Sequence, residues 1–259
     1  MSSNAKIGLF DSGIGGVTVL REAVKLLPNE EYVFFSDSIN NPYGDKSDEE
    51  IISRCDEIVN MLINEKGCKA IIIACNTASA KAVKSLREKY SSTPILAIEP
   101  AYKMVHDNNP LGFTLIMATK GTIQSEKFRR LYYSYYNHKT SLLTCVGLAD
   151  LIEQDKKQEL RDYLNEHLGA YKGKAQNVVL GCTHYPLAKK EICDVLGDVN
   201  FFDGSKGIST RLKYILEEND LLSDRQDGCT IDFIDTSESE EAREQKKERF
   251  FRLLREEQI

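Results

Sequence analysis

The sequence predicts an α/β fold of two similar lobes, each a mostly parallel sheet flanked by helices. Two observations support this prediction. First, short runs rich in Ile, Val, Leu and Phe recur, and each is followed by a longer segment with apolar residues three and four positions apart. Such runs are typical of strands buried on both faces, and their alternation with helices favours parallel sheets. Second, one strand-to-helix unit that contains a cysteine occurs twice along the chain.

These patterns place the elements in chain order. The predicted strands are Ile7–Phe10, Tyr32–Phe35, Ala70–Ala74, Ile95–Ile98, Thr114–Met117, Ser141–Val146 and Val178–Leu180. The predicted helices between them are Val17–Leu27, Asp48–Lys66, Ala78–Tyr90, Gln124–Tyr136 and Leu148–Leu168. After Gly207 the pattern predicts a helix at Ile208–Asn219, a short apolar run at Thr230–Ile234 and a charged terminal helix that docks by one face.

The repeated unit is an apolar strand, a small residue, a cysteine, two polar residues and a helix. It occurs around Cys75 and again around Cys182, at an offset of 107 residues, and the strand Ile7–Phe10 has a counterpart at Thr114–Met117 at the same offset. An offset of this length matches the size of a domain. We therefore predict a boundary between two lobes within residues 98–109, where turn signals interrupt the pattern. Coincidence between two generic strand-to-helix turns is the alternative.

The composition of the chain limits its partners. The 259 residues carry a formal net charge of -6, and the pI is near 5.4. This balance argues against general nucleic-acid binding, which needs a basic face. No run approaches the roughly 20 apolar residues of a membrane span, and Met1–Lys6 lacks the apolar region of a signal peptide. We therefore expect a cytoplasmic protein with no nucleic-acid or membrane partner, whose seven cysteines are free thiols.

Cys75 and Cys182 are the strongest candidates for chemistry. Each follows a predicted strand of a parallel sheet and precedes a helix, which is where ligands bind in α/β proteins. The partial positive charge of a helix N-terminus favours a thiolate over a thiol. The other cysteines lack this context, and we interpret them as buried filling residues: Cys55, Cys68, Cys145, Cys193 and Cys229.

Polar residues accompany the two cysteine motifs. The segment Asp11–Gly16 follows the first strand, and its glycines would let backbone N–H groups approach an anion. Asn76, Thr77 and Thr183 stand at helix starts, where such residues act either as caps or as ligands. The residues alone leave both roles open.

His184 lies two residues beyond Cys182 and could exchange a proton with this thiol near neutral pH. A histidine in this place is interpreted as a candidate acid–base group. A zinc site formed by Cys75, Cys182 and His184 stays an alternative on residue types alone, although it would need a fourth ligand.

Four motifs follow one another along the chain. They are FDSGIGG at Phe10–Gly16, NPYG at Asn41–Gly44, ACNTAS at Ala74–Ser79 and GCTHYPL at Gly181–Leu187. In this order they resemble the motifs of the aspartate/glutamate racemase superfamily and, among its members, the glutamate racemases. The resemblance extends roughly from residue 6 to residue 216, and the two cysteine motifs are its most specific part.

The resemblance implies two pseudosymmetric α/β lobes with the active site in the cleft between them. The first lobe would comprise residues 1–98 and 207–259, and the second lobe residues 99–206. The implied reaction interconverts L- and D-glutamate without pyridoxal phosphate, another cofactor or a metal, and supplies D-glutamate for peptidoglycan. The expected partner is therefore glutamate as a small-molecule substrate, and members of this family often form homodimers.

The resemblance also implies roles for individual residues. Cys75 and Cys182 would remove and return the α-proton on opposite faces of the substrate, with Asp11 assisting Cys75 and His184 assisting Cys182. The substrate would be bound by Asp11, Ser12, Pro42, Tyr43, Gly44, Asn76, Thr77, Thr122, Thr183 and His184. Two further carboxylates match positions near the family's site: Asp37 and Glu153.

Three alternatives stay open at this point. A relative in the same superfamily could act on aspartate or another amino acid. A two-lobed protein could bind an amino acid without turning it over, although acid–base partners at both thiols favour catalysis. A dithiol redox protein would need its two sulfurs within disulfide range, whereas racemisation needs the substrate carbon between them.

Overall fold

The computed structural model describes residues 3–256 of the chain. Its strands are β1 (Ile7–Asp11), β2 (Glu31–Ser36), β3 (Ala70–Ile73), β4 (Ile95–Ala97), β5 (Thr114–Ala118), β6 (Thr140–Thr144), β7 (Asn177–Gly181), β8 (Asn200–Phe202) and β9 (Thr230–Asp235). Its helices are α1 (Val17–Leu26), α2 (Asp48–Asn64), α3 (Asn76–Lys89), α4 (Tyr102–Asn108), α5 (Lys120–Gln124), α6 (Glu126–Tyr135), α7 (Leu148–Glu153), α8 (Lys157–Leu168), α9 (Lys189–Leu196), α10 (Ser205–Glu218) and α11 (Glu240–Arg255).

These strands form two sheets in which every pairing is parallel. The first sheet has the order β4-β3-β1-β2-β9, and the second has the order β6-β5-β7-β8. The strands β1, β3, β5 and β7 are buried along their whole length, as expected of parallel strands covered on both faces. The predicted α/β class with parallel sheets and flanking helices is confirmed.

Helices cover both faces of the first sheet. Because successive side chains of a strand point to opposite faces, Ile7 and Leu9 of β1 enter one core and Phe10 enters another. The first core contains Leu20 of α1 and Leu212 of α10, and the second contains side chains of α2 and α3. With both faces of the sheet buried, a site has to be formed by loops at an end of the strands, and in α/β sheets ligands bind at the carboxyl end.

The two sheets share one arrangement around their central strands. β1 lies between β3 and β2, and β5 lies between β7 and β6. Ile7 of β1 pairs with Ala70 of β3, and Thr114 of β5 pairs with Asn177 of β7. Both pairs are related by the offset of 107 residues, so the sequence repeat extends to the register of the strands. β3 and β7 therefore end at matching corners of the two sheets, where the two cysteines follow.

Three elements differ from the sequence predictions. The predicted helix at 148–168 is divided into α7 and α8, because Asp155 adopts a left-handed backbone with φ of 56°. α4 forms within the segment predicted as a boundary between lobes. β8 was not predicted from the sequence. Its only apolar residues are Phe201 and Phe202, which are too few to form a recognisable apolar run, and its first residue is exposed at the edge of the sheet. The break after α7 matters most, since it places Glu153 at a helix end.

The segment after residue 207 returns to the first sheet. β9 pairs with β2 along its whole length. Phe250 of α11 is fully buried, and its ring lies 4.6 Å from the ring of Phe34 and 4.5 Å from that of Phe233, measured between centroids. The charged terminal helix thus docks by one face, as the sequence predicts.

Two expectations concern the chain as a whole. The limits of the lobes, 1–98 with 207–259 and 99–206, stay a prediction, and residues 1–2 and 257–259 lie outside the described part of the chain. Among the helices of residues 3–256, none combines the length and the apolar character that a bilayer crossing requires.

A buried ion pair ties the first sheet to the segment that follows α10. Lys69 precedes β3, Glu30 precedes β2, and their side chains are 0% and 2% exposed with 2.6 Å between Nζ and Oε2. Lys69 also donates to the carbonyl groups of Ser3 and Leu221, and Glu30 accepts the N–H of Ser223. Because both charges are removed from water, each depends on the other for its stability.

Replacing Lys69 with methionine should therefore destabilise the fold. We expect Lys69→Met to lower the free energy of unfolding by about 3–5 kcal/mol, because Glu30 is left buried without a counter-charge. The double variant Lys69→Met/Glu30→Gln should recover part of this loss. Urea titration measures both values, with Lys213→Met in the half-exposed Lys213–Glu217 pair as a control that changes less than about 1 kcal/mol. A loss for Lys69→Met as small as that of the control would contradict the prediction.

Candidate active site

Cys75 lies at the carboxyl end of β3 and at the start of α3. The strand is a run of buried Ala and Ile residues, and the helix begins one residue later at Asn76, so Cys75 occupies the N-cap position. The residue is 6% exposed. Its Sγ lies 3.6 Å from Oγ of Ser12, which belongs to the loop after β1. The first predicted thiol is therefore paired with a hydroxyl from the neighbouring strand end.

Cys182 occupies the matching place after β7 and is 8% exposed. Its Sγ lies 3.8 Å from Nδ1 of His184, within the contact range of a sulfur hydrogen bond. The two residues are held in one tight turn, because the N–H of Tyr185 donates to the carbonyl of Cys182. The predicted pairing of His184 with Cys182 is thus present in the geometry.

Burial shifts the acidity of Cys75. Removal from water raises the pKa of this thiol to about 12, and negative charges on Asp11 and Cys182 act in the same direction. The sequence predicts that the helix N-terminus favours a thiolate, and this is wrong for Cys75 because burial outweighs the helix. The influence of Cys182 on Cys75 also means that the two sulfurs lie within electrostatic reach of each other.

His184 is held by a carboxylate on the side opposite Cys182. Its Nε2 lies 2.5 Å from Oε2 of Glu153, the last residue of α7, and both side chains are buried. Burial lowers the pKa of His184, but hydrogen bonds to Cys182 and Glu153 outweigh it and raise this pKa well above the usual value. Burial likewise raises the pKa of Glu153, but His184 and Lys246 outweigh it and hold the pKa at about 2. Glu153, His184 and Cys182 thus form a chain of contacts that ends at the sulfur, and we call these three residues the relay.

Asp11 links the two cysteine motifs. Its Oδ2 accepts the N–H of Gly16 at 2.6 Å and the hydroxyl of Thr183 at 3.0 Å, so a carboxylate at the end of β1 contacts the residue next to Cys182. The second oxygen, Oδ1, is buried and has no hydrogen-bond partner among the described residues. Burial raises the pKa of Asp11. The charge of His184 and the hydrogen bonds from Thr183 and Gly16 act against burial and favour the carboxylate.

The glycine-rich loop after β1 accommodates side chains from the other sheet. A Cβ atom at Gly15 would come within 2.5 Å of Nδ1 of His184, and one at Gly13 within 2.7 Å of Oε2 of Glu153. The N–H of Ile14 donates to the same Oε2 at 3.1 Å. The sequence predicts an anion at this loop, and among the described contacts the anion is the protein's own carboxylate. Glycine is needed here because the imidazole and the carboxylate approach the backbone so closely.

Hydroxyl groups cluster beside Cys75 on the side of the second sheet. Oγ1 of Thr119 lies 3.0 Å from Oγ1 of Thr77 and 3.0 Å from Oγ1 of Thr122. Asn76 directly precedes Thr77 in the sequence, and its Oδ1 is buried without a hydrogen-bond partner among residues 3–256. Thr119 was not among the predicted site residues, although it lies 107 positions after Ser12 and the repeat could have identified it as a candidate. This cluster can supply donors and acceptors to a polar ligand.

The NPYG motif forms a loop braced by a salt bridge. The hydroxyl of Tyr43 donates to Oδ2 of Asp37 at 2.6 Å, and Arg54 donates to both oxygens of Asp37 at 3.0 and 2.8 Å. Burial raises the pKa of Asp37, but the hydrogen bonds from Arg54 and Tyr43 outweigh it and lower this pKa. Arg54 was not predicted. Asp37 and Tyr43 therefore engage each other, which suits a role in positioning the loop.

The remaining residues of this motif connect it to the hydroxyl cluster. The peptide bond before Pro42 is cis. Gly44 packs against Gly121, where an added Cβ would lie 3.5 Å from the Cα of Gly44 and 2.8 Å from Cγ2 of Thr77. Every predicted site residue lies within the described part of the chain, and the contacts above join most of them into one region between the carboxyl edges of the two sheets.

A zinc site formed by Cys75, Cys182 and His184 was the alternative to acid–base catalysis that the residue types left open. Within residues 3–256, no group of three His, Cys, Asp or Glu side chains is arranged to hold a metal ion. What the arrangement offers is a pair of buried thiols, each with its own neighbours, and a set of hydroxyl and amide groups around them.

Comparison with known proteins gives a consistent family. A family model for Asp/Glu/Hydantoin racemase matches residues 15–206. The glutamate racemase of Clostridium perfringens (strain SM101 / Type A) is 41% identical over 249 residues, which cover 94% of this chain and 95% of that protein. The glutamate racemase of Clostridium kluyveri is 45% identical over 228 residues, which cover 84% and 88%. A crystal structure of the Francisella tularensis glutamate racemase with D-glutamate is 30% identical, with a TM-score of 0.80 over 96% of this chain and 94% of that one.

Replacing Asp11 with asparagine should make Cys75 more reactive. The charge of Asp11 raises the pKa of Cys75, so Asp11→Asn should lower this pKa and speed alkylation by iodoacetamide several-fold at pH 8–9. Mass spectrometry of the Cys75 peptide over time measures the rate. Asp45→Asn, at an exposed carboxylate, is the matched control and should leave the rate unchanged. An unchanged rate in Asp11→Asn would show that Asp11 does not act on this thiol.

Proposed function

The chain belongs to the Asp/Glu/hydantoin racemase family, and from this we propose that it interconverts L- and D-glutamate by proton transfer at Cα between Cys75 and Cys182. One observation carries the proposal. The two thiols follow matching strands of two sheets, and each has its own acid–base neighbours. The strand ends deliver two similar groups to one region, which is what inversion of a single carbon requires.

Inversion needs a base on one face of the carbon and an acid on the other. In the proposed step, the thiolate of one cysteine takes the α-proton, and the thiol of the other returns a proton to the opposite face of the carbanion. No atom is gained or lost, and one turnover leaves the two sulfurs with exchanged protonation states. The residues that assist them are Asp11 near Cys75 and His184 at Cys182.

Charge repulsion disfavours a second thiolate at Cys75. A negative charge on Cys182 raises the pKa of Cys75, so the pair resists losing both protons at once. A pair that holds one proton has the thiol and the thiolate that racemisation in either direction needs. The imidazole of His184, held by Glu153, lies 3.8 Å from the sulfur of Cys182 and can exchange a proton with it.

The carbanion has to be stabilised by polar groups that are already in place, because the proposed reaction uses no electron-accepting cofactor or metal. The hydroxyl cluster of Thr77, Thr119 and Thr122 can donate to the substrate carboxylate, and the side-chain oxygen of Asn76 can accept from its ammonium group. We assign substrate binding to the set expected from the sequence: Asp11, Ser12, Pro42, Tyr43, Gly44, Asn76, Thr77, Thr122, Thr183 and His184. Asp37 and Glu153 would position neighbouring groups.

The proposed product also suggests a place for the protein in the cell. D-Glutamate made by this reaction would supply peptidoglycan synthesis, and the protein would work in the cytoplasm with a free amino acid as its partner. We propose a homodimer as its assembly. These points depend on the family and on the glutamate racemases to which the chain is similar.

Removing either thiol should stop the reaction. Cys75→Ala and Cys182→Ala should each lower kcat for racemisation by about 10²- to 10⁴-fold, because one face of Cα then lacks its acid–base group. Polarimetry with D-glutamate and with L-glutamate measures the rates. Cys193→Ala, at a partly exposed thiol of α9, is the control and should keep full activity. Near-normal turnover in either active-site variant would exclude the two-thiol mechanism.

The wild-type protein should incorporate solvent deuterium at Cα of glutamate while the optical rotation decays, with no cofactor added. The incorporation follows from return of a proton that has exchanged with water at a sulfur. NMR in deuterium oxide measures it, and a parallel reaction with aspartate tests the substrate. Turnover of aspartate at an equal or higher rate would replace glutamate by aspartate in the proposal. Binding of glutamate without isotope exchange would indicate a binding protein instead.

A further inference from the structure

The terminal helix α11 reaches the relay at Cys182 from the side of the first sheet. Nζ of Lys246 lies 2.8 Å from Oε1 of Glu153 and donates to Oγ of Ser38 at 2.8 Å. Ser38 follows β2 of the first sheet, whereas Glu153 ends α7 beside the second sheet. One ammonium group therefore contacts elements from both sides of the site.

We propose that Lys246 is a positioning residue that holds the Glu153 carboxylate against His184 and so controls the acid–base state of the relay ending at Cys182. The inference rests on the proposed function in one respect, namely that the proton of this relay is the one exchanged with the substrate. Neither the sequence motifs nor the repeat points to Lys246, since it lies in the charged tail outside both.

The two oxygens of Glu153 are occupied differently. Oε2 interacts with Nε2 of His184 and accepts the N–H of Ile14. Oε1 is buried and has no hydrogen-bond partner among the described residues. It forms an ion pair with the ammonium group of Lys246. A buried carboxylate oxygen without a counter-charge is unfavourable. Lys246 therefore removes the cost of leaving Oε1 unpaired and fixes the plane of the carboxylate in which Oε2 faces His184.

The position of Lys246 is itself fixed. Phe250, one turn later on α11, is fully buried in the core of the first sheet. Arg249 donates to the carbonyl groups of Ile152 and Glu153, which anchors the end of α7 to the same helix. The ammonium is thus presented by a rigid helix and not by a mobile tail.

The charge of Lys246 acts on the relay in a definite direction. Other charged or titratable groups also face Glu153 and His184, from β1, α7, the end of β7 and α11: Asp11, Asp150, Cys182 and Arg249. The cation at Lys246 stabilises the Glu153 carboxylate and opposes the positive charge of His184. When it is removed, the imidazolium is more stable, so the pKa of His184 rises and the ring loses its proton at a higher pH.

The experiment compares three variants of the full-length chain. Lys246→Met removes the charge, Lys246→Arg keeps it, and Lys247→Met is the matched control at the next residue, whose side chain is 48% exposed and pairs only with Glu244 among the described contacts. Two quantities are measured as functions of pH. They are kcat/KM for D-glutamate and the ¹⁵N signals of histidine, which are few because the chain has four histidines.

We expect Lys246→Met to lower kcat/KM at neutral pH, by up to about a hundredfold, because a more stable imidazolium at His184 gives up its proton less readily. The limb of the pH profile that reports His184 should move to higher pH, and the His184 signals should titrate at higher pH by the same amount. Lys246→Arg should recover both, and Lys247→Met should resemble the wild type. If Lys246→Met does not fold, Lys246→Gln replaces it as the uncharged variant.

Two results would overturn the proposal. One is a loss of activity in Lys246→Met by the same factor at every pH with unmoved His184 signals, which would indicate a purely structural role. The other is an equal effect of Lys246→Arg and Lys246→Met, which would show that the charge is irrelevant. The NMR titration does not require turnover. A shift in the His184 signals in a protein that does not racemise glutamate would therefore support the positioning role while the proposed function fails.

Discussion

A carboxylate buried between two sheets sets the constraint on which this site depends. Glu153 ends α7 beside the second sheet, yet Ile14 and Lys246 contact it from elements of the first sheet. Buried charges are tolerated only when they are paired and hydrogen-bonded. The glycine-rich loop after β1, the terminal helix α11 and His184 therefore all contact Glu153. Because His184 is held there, its position next to Cys182 is fixed as well.

The repeat gives the two thiols equivalent backbone positions but different neighbours. Strand register places Cys75 and Cys182 at matching corners, because register is a property of backbone pairing. Their neighbours differ in residue type: a serine hydroxyl at Cys75 and an imidazole paired with a carboxylate at Cys182. One symmetric fold can thus offer two unlike acid–base environments to a single substrate atom.

The sequence is informative wherever a feature is local. Buried apolar runs marked the strands other than β8, and the 107-residue offset singled out both cysteines as candidates. The contacts of Glu153 were not predictable, because Ile14 and Lys246 lie far from it along the chain and no periodic pattern marks such pairs. The high pKa of Cys75 escaped prediction for a related reason. A helix N-terminus is visible in the sequence, whereas the degree of burial that outweighs it depends on packing.

The low exposure of both sulfurs has a consequence for successive turnovers under the proposed mechanism. After one inversion the two protonation states are exchanged, and residues that are only 6% and 8% exposed should exchange their sulfur protons with water more slowly than open thiols do. Arrival of the mirror-image molecule, which runs the exchange backwards, is a second route to restoration. Until one of the two routes has acted, the site keeps a record of the last enantiomer that it released.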